Sequence, residues 1–145
     1  MKRRELLGAA VGLVGTVWAR DALANADELA AAIKQFAGGV PVSEGRVEFD
    51  IAPLVENGNT VPITVRVQSA MSESDHVQAI AIFNESNPQR EVANFTLVPR
   101  AGRATVATRI RLATSQQLVA VARLSDGTFW SQGVDVLVTL AACLE

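Results

Sequence analysis

The chain has 145 residues, with 13 basic and 15 acidic side chains, one His, one Cys, no Tyr and 49% hydrophobic residues. That length gives one domain a full core and leaves no room for two, and a charged fraction of 19% with a net charge of −2 excludes a disordered chain and a nucleic-acid binder. A single Cys excludes an internal disulfide, a Cys-rich zinc site and a CxxC redox pair, and a single His excludes a two-His metal centre.

The first residues read as an address. Lys2, Arg3 and Arg4 form a basic start, Leu6 to Trp18 is an uncharged apolar run, and Ala22-Leu23-Ala24 has the small-residue spacing of a cleavage site. The run is shorter than the roughly 20 apolar residues that a bilayer core requires, so it predicts export without a stable membrane span. Arg3-Arg4 ahead of Glu5-Leu6-Leu7 predicts the twin-arginine route and a periplasmic protein, with residues 1–24 as the signal. Their removal takes away four basic and two acidic side chains and leaves a domain of net charge −4. Such a domain has no electrostatic reason to seek nucleic acid or anionic lipid.

Residues 25–40 predict one short amphipathic helix and its stop. Asn25 or Asp27 can cap it, and Leu29, Ile33 and Phe36 fall on one face. Gly38-Gly39 ends it and Pro41 prevents its return.

From Arg46 the apolar period changes from helical to two. Val47, Phe49 and Ile51 alternate with charged neighbours, Asn57-Gly58-Asn59 marks a turn, and Ile63, Val65 and Val67 alternate again. Val77 to Phe83 is a continuous apolar run ended by Asn84 to Pro88. Val92 to Val98, Val106 to Leu112 and Leu118 to Leu124 follow, then Asp126-Gly127 as a hairpin turn. The last run, Phe129 to Leu140, places Val134, Val136, Val138 and Leu140 on one face. About seven strands at regular spacing, with no helix between them, predict an all-β, immunoglobulin-like antiparallel sandwich over residues 41–140, without the Cys…Trp…Cys spacing of antibody domains.

Residues 141–145, Ala-Ala-Cys-Leu-Glu, form a C-terminal tail. Cys143 is the residue that carries chemistry: an unpaired thiol on a tail of small residues, in an oxidising compartment, is a liability unless it has a use. Ala141 and Ala142 make the approach slim and Leu144 makes the far side bulkier. An extended chain from Leu140 to Cys143 covers roughly 10 Å at about 3.3–3.6 Å per residue. Glu145 and the terminal carboxylate disfavour the thiolate, so the thiol reads as a handle for other enzymes rather than a nucleophile. Two other readings stand beside this one: an intermolecular disulfide through Cys143 in a non-carrier binding module, and a Cys143–His76 hydrolytic pair.

His76 otherwise reads as a strand-edge histidine with local hydrogen bonds. Arg100, Arg103, Arg109 and Arg111 form a basic cluster that is either a solvated strand face or a surface for an acidic partner. Trp130 is expected in the core or at an interface. Asn84-Glu85-Ser86 and Asn94-Phe95-Thr96 match glycosylation acceptors, a use that a bacterial-type signal argues against. No nucleophile elbow, P-loop, dinucleotide fingerprint or zincin motif is present, so no catalytic residue, metal ligand or cofactor is predicted.

The phrases NGNTVPITV, DHVQAIAIFNESNPQREVANF, RATVATRIRLATSQQLVAVA and DGTFWSQGVDVLVTLAAC resemble the SoxY proteins over nearly the whole mature chain. These are sulfur-carrier subunits of the periplasmic thiosulfate-oxidising system, exported by the twin-arginine route with a signal-less partner, SoxZ. The resemblance implies an immunoglobulin-like sandwich, a heterodimer with a SoxZ-like subunit, and covalent sulfur intermediates on Cys143. It further implies that a SoxAX-type cytochrome joins thiosulfate to Cys143, that a SoxB-type hydrolase releases sulfate, and that a sulfane dehydrogenase oxidises the sulfur left behind. The carrier itself is then no enzyme. The family's best-known tail is Gly-Gly-Cys-Gly-Gly. The alanines here are stiffer than glycine, which alone has free access to left-handed backbone angles.

Overall fold

The structure, a computed structural model, describes residues 23–142. The predicted export segment as far as residue 22, and Cys143, Leu144 and Glu145, lie outside the described residues. Among the described residues helix α1 covers 23–36, so residues 23 and 24, before the predicted start, are already helical, and a turn over 37–39 ends it. Gly38 and Gly39, at φ 62° and 84°, take the left-handed angles that stop it. Among the described residues no helix is long and apolar enough to cross a membrane.

Nine strands follow: β1 (Val42–Glu44), β2 (Val47–Asp50), β3 (Leu54–Val55), β4 (Val61–Val67), β5 (Val77–Asn84), β6 (Glu91–Thr96), β7 (Ala104–Ile110), β8 (Gln116–Leu124) and β9 (Phe129–Val138), with a 3-10 turn at Pro99–Ala101. One sheet has the order β1-β9-β8-β5-β6, with β3 also on β9; the other has the order β2-β4-β7. The two sheets face each other as an immunoglobulin-like sandwich, the predicted class. Seven strands are those the apolar period marks. The two additions, β1 and β3, both pair with β9 in parallel, so the sheet is not purely antiparallel.

The burial pattern explains the sequence pattern. On β4, Val61, Ile63, Val65 and Val67 point into the interior while Pro62 and Arg66 face solvent, the alternation of a sheet with one wet face. Strand β5 has no wet face. Val77, Ile80 and Ile82 enter the core between the sheets, while Ala81 and Phe83 lie in a second cluster with Leu29, Val121 and Phe129. Helix α1 covers that second face: Phe36 meets the rings of Phe83 and Phe129 edge-on at 5.7 and 5.8 Å. A strand buried on both faces reads as an unbroken apolar run, hence VQAIAIF. Phe36→Ala is expected to cost about 2 kcal/mol, below the range for a fully buried Phe because Phe36 is only partly enclosed, and to loosen α1. Urea denaturation followed by helix-sensitive circular dichroism checks this.

Asn57-Gly58-Asn59 does not close a hairpin between neighbours. It carries the chain from β3, on one sheet, to β4, on the other. The contacts that fix this loop are the ones that hold the C-terminal tail.

Candidate functional site

From the end of β9 onward the chain runs between two segments. On one side are residues 53–58. Leu137 N–H donates to the Pro53 carbonyl at 2.9 Å, Thr139 N–H to the Val55 carbonyl at 3.0 Å, and Thr139 Oγ1 to the Glu56 carbonyl at 3.3 Å. Gly58 N–H then donates to the Leu140 carbonyl at 2.7 Å. On the other side are residues 112–115. Val138 N–H donates to Ser115 Oγ at 2.8 Å, and Ala142 N–H donates to the Leu112 carbonyl at 3.0 Å. The loops are tied to each other by Leu112 N–H, which donates to the Gly58 carbonyl at 2.8 Å.

This corrects the expectation of an arm that runs free from Leu140. The backbone is held at Leu140 and again at Ala142, one peptide bond before Cys143. Leu140 also leaves the predicted apolar face: Val136 is buried and Val134 and Val138 are partly buried, but Leu140 is 59% exposed. The Ala141 side chain is exposed and Ala142 is half-buried.

The loop that receives Ala142 is braced from within by amides that the sequence did not single out for this. Asn84, Asn87 and Gln116 are the buried polar side chains among the described residues. Asn84 Oδ1 accepts from Asn87 N–H at 2.7 Å. Asn87 Oδ1 accepts from Ala113 N–H at 3.0 Å and from Gln116 Nε2 at 2.8 Å, and Asn87 Nδ2 donates to the Arg111 carbonyl at 2.8 Å. Gln116 Oε1 accepts from Ser86 N–H at 2.8 Å. Residues 111 and 113 are thus pinned on either side of Leu112, whose carbonyl holds the tail. Among the described residues no buried side-chain polar atom is left unpaired. Asn84 is fully buried, so its glycosylation sequon is sterically closed. Arg90 extends the brace to the helix: its guanidinium reaches the Asn87 carbonyl at 2.6 Å, the Asn25 side chain and the Glu28 carboxylate.

The remaining candidates lie elsewhere. His76 stands at the start of β5, where its N–H donates to Ser125 Oγ and its Nδ1 meets the Ser72 carbonyl at 3.1 Å. These are the local bonds the sequence predicts. The tail base lies at the other end of that eight-residue strand, beside Asn84. At about 3.3 Å per residue the strand spans roughly 25 Å. Ala142, the last described residue, is therefore held at the opposite end of the strand from His76. Beside His76, the Asp126 carboxyl in the β8–β9 turn is held below the usual carboxylate range by hydrogen bonds from Thr128 Oγ1 and Thr128 N–H. Trp130 is half-buried with the Arg46 guanidinium 5.3 Å from its ring centroid. Arg100, Arg103, Arg109 and Arg111 are all exposed. Among the described residues no group of three or more His, Cys, Asp or Glu side chains is placed to hold a metal ion.

The family model described as sulfur oxidation protein SoxY matches residues 33–143. The chain belongs to the SoxY family. Its match takes in the braced loops, the tail base and Cys143. The structure is similar to that of the sulfur carrier protein SoxY from Chlorobium limicola f thiosulfatophilum, with a TM-score of 0.69 and 28% identity, over 82% of this chain and 98% of that one. The sandwich alone is shared with superoxide reductases. The neelaredoxin from Ignicoccus hospitalis has a TM-score of 0.58 at 14% identity, covering 65% of this chain and 80% of its own. The superoxide reductase from Nanoarchaeum equitans has a TM-score of 0.57 at 12% identity, covering 66% and 100%. No curated protein sequence matches this SoxY chain.

Proposed function

We propose that this SoxY-family chain is a periplasmic sulfur carrier that holds thiosulfate-derived sulfur covalently on Cys143 and presents it to separate enzymes. The observation that carries the reading is the reach of the family match to Cys143, the chain's single Cys, directly after a tail base held at one end of a rigid sandwich. The similarity to a protein described as a sulfur carrier supports it.

The chemistry needs only a thiol. Loading joins Cys143–SH to thiosulfate, giving Cys–S–S–SO₃⁻ with release of one proton and two electrons, which a SoxAX-type c-type cytochrome accepts. Water then cleaves the terminal S–S bond at a SoxB-type hydrolase, giving sulfate, two protons and Cys–S–S⁻. A sulfane dehydrogenase oxidises the remaining outer sulfur with three waters, giving Cys–S–SO₃⁻, six protons and six electrons that pass to a c-type cytochrome acceptor, and a second hydrolysis releases sulfate and one proton and restores the thiol. None of these steps asks this chain for a base, a metal or a cofactor. Export on the twin-arginine signal, bound to a SoxZ-like subunit, completes the proposal.

Thiol titration tests it. In a periplasmic fraction supplied with thiosulfate, Cys143 is expected to become resistant to alkylation until a reductant is added, with the protein monomeric in its own chain on a non-reducing gel. A reducible homodimer, or a thiol equally reactive with and without thiosulfate, rejects the carrier in favour of a binding module linked through Cys143.

A further inference from the structure

We infer that Gly58 is a positioning residue for the carrier tail: its bare Cα lets the backbone of Leu140–Ala142 seat against the Leu112 carbonyl and so fixes the point from which Cys143 is presented. The inference rests on the carrier reading above. Gly58 is buried, and a Cβ on it would lie 2.5 Å from the Leu112 carbonyl oxygen, 3.0 Å from Ala142 N and 3.1 Å from the Leu140 carbonyl oxygen. All three are backbone atoms, so no side-chain rotation relieves the clash. The same three groups bond in the clasp, Gly58 N–H to the Leu140 carbonyl and Ala142 N–H to the Leu112 carbonyl, and Leu112 N–H to the Gly58 carbonyl closes it. A glycine placed only for a turn would show open space around its missing Cβ, as Gly38, Gly102 and Gly127 do.

The consequence is a short reach. With the clasp closed, the backbone is held as far as the Ala142 N–H, and a partner enzyme must receive the tail close to the 56–59 and 111–115 loops. The clasp trades length for a fixed presentation, and its loss is expected to weaken docking while sparing the thiol chemistry.

The test uses the full exported chain as the varied substrate for thiosulfate loading by periplasm depleted of the wild-type protein. Gly58→Ala is expected to speed hydrogen exchange at the Ala142 amide and to raise the apparent KM for the carrier, each about ten-fold, which corresponds to the net contribution of one backbone hydrogen bond. Maximal velocity and the alkylation rate of Cys143 by iodoacetamide, a reagent that needs no docking, are expected to stay within about two-fold. A merely structural role would lower the melting temperature and leave KM unchanged for the folded protein. Unchanged KM, or unchanged Ala142 exchange, overturns the inference. If Gly58→Ala fails to fold, Ala142→Pro, which removes the outer donor while leaving Gly58 in place, is read the same way: a raised KM supports the clasp and an unchanged one overturns it. Failure of the wild-type chain to load at all rejects the carrier reading instead, and is seen in the control arm.

Discussion

Cys143→Ser is expected to reduce thiosulfate-dependent sulfur uptake by the protein to background and to leave its urea midpoint unchanged. A serine hydroxyl has the size of the thiol but forms no bond to sulfane sulfur, and the chain has no other Cys to substitute. The stability half of the expectation follows from the carrier reading: a thiol offered to other enzymes is a surface group, and a surface substitution shifts stability by no more than about 0.5 kcal/mol. A variant that still takes up thiosulfate-derived sulfur would place the cargo elsewhere. A variant that unfolds would make Cys143 a packing residue rather than a carrier.

Asn87→Ala is expected to destabilise the fold by about 3 kcal/mol and to loosen the tail base with it. The substitution removes three side-chain hydrogen bonds at one buried position, to Arg111, Ala113 and Gln116. It leaves the part-buried Ala113 N–H and Arg111 carbonyl without their partner, around a side chain that is itself buried. An unpaired buried polar group costs about 1–3 kcal/mol, so two of them dominate the loss. In a domain of this size the melting temperature should fall by roughly 10 °C. Asn87→Asp keeps the shape but turns a carboxylate oxygen toward the Arg111 carbonyl in place of the Nδ2 donor. It should destabilise comparably, which separates lost hydrogen bonding from lost packing. Because Leu112 lies between the two pinned residues, hydrogen exchange at the Ala142 amide should quicken in both variants. A loss under about 0.5 kcal/mol would mean that the loop holds the tail without the amide brace.

The parts of the fold visible in the sequence are those where one chain segment meets a large apolar surface. The period-two runs of β4 and β7, the unbroken run of β5 and the helical stripe Leu29–Ile33–Phe36 each record a burial pattern along a single element. Strands β1 and β3 left no such record: with three and two residues they are too short for a period, and their pairing with β9 is made by backbone groups. The tail base is hidden for the same reason. Its clasp is backbone to backbone among Gly58, Leu112, Leu140 and Ala142, residues that side-chain pattern describes as a turn glycine, a strand end and a slim tail. Asn87 and Gln116 are separated by 29 positions, and each alone reads as an ordinary polar residue of a loop or a strand edge. What the sequence did carry is the family phrase NESNPQ, and the structure gives that phrase a physical task, because three of its six residues hold the loop on which the tail rests.

The most direct test is tandem mass spectrometry of the C-terminal peptide from protein isolated, without reductant, during thiosulfate turnover. The account predicts that the fragment ions place added –S–SO₃⁻ or –S⁻ on Cys143, and that dithiothreitol removes the addition. A peptide with an unmodified or merely glutathione-capped Cys143 throughout turnover would contradict it.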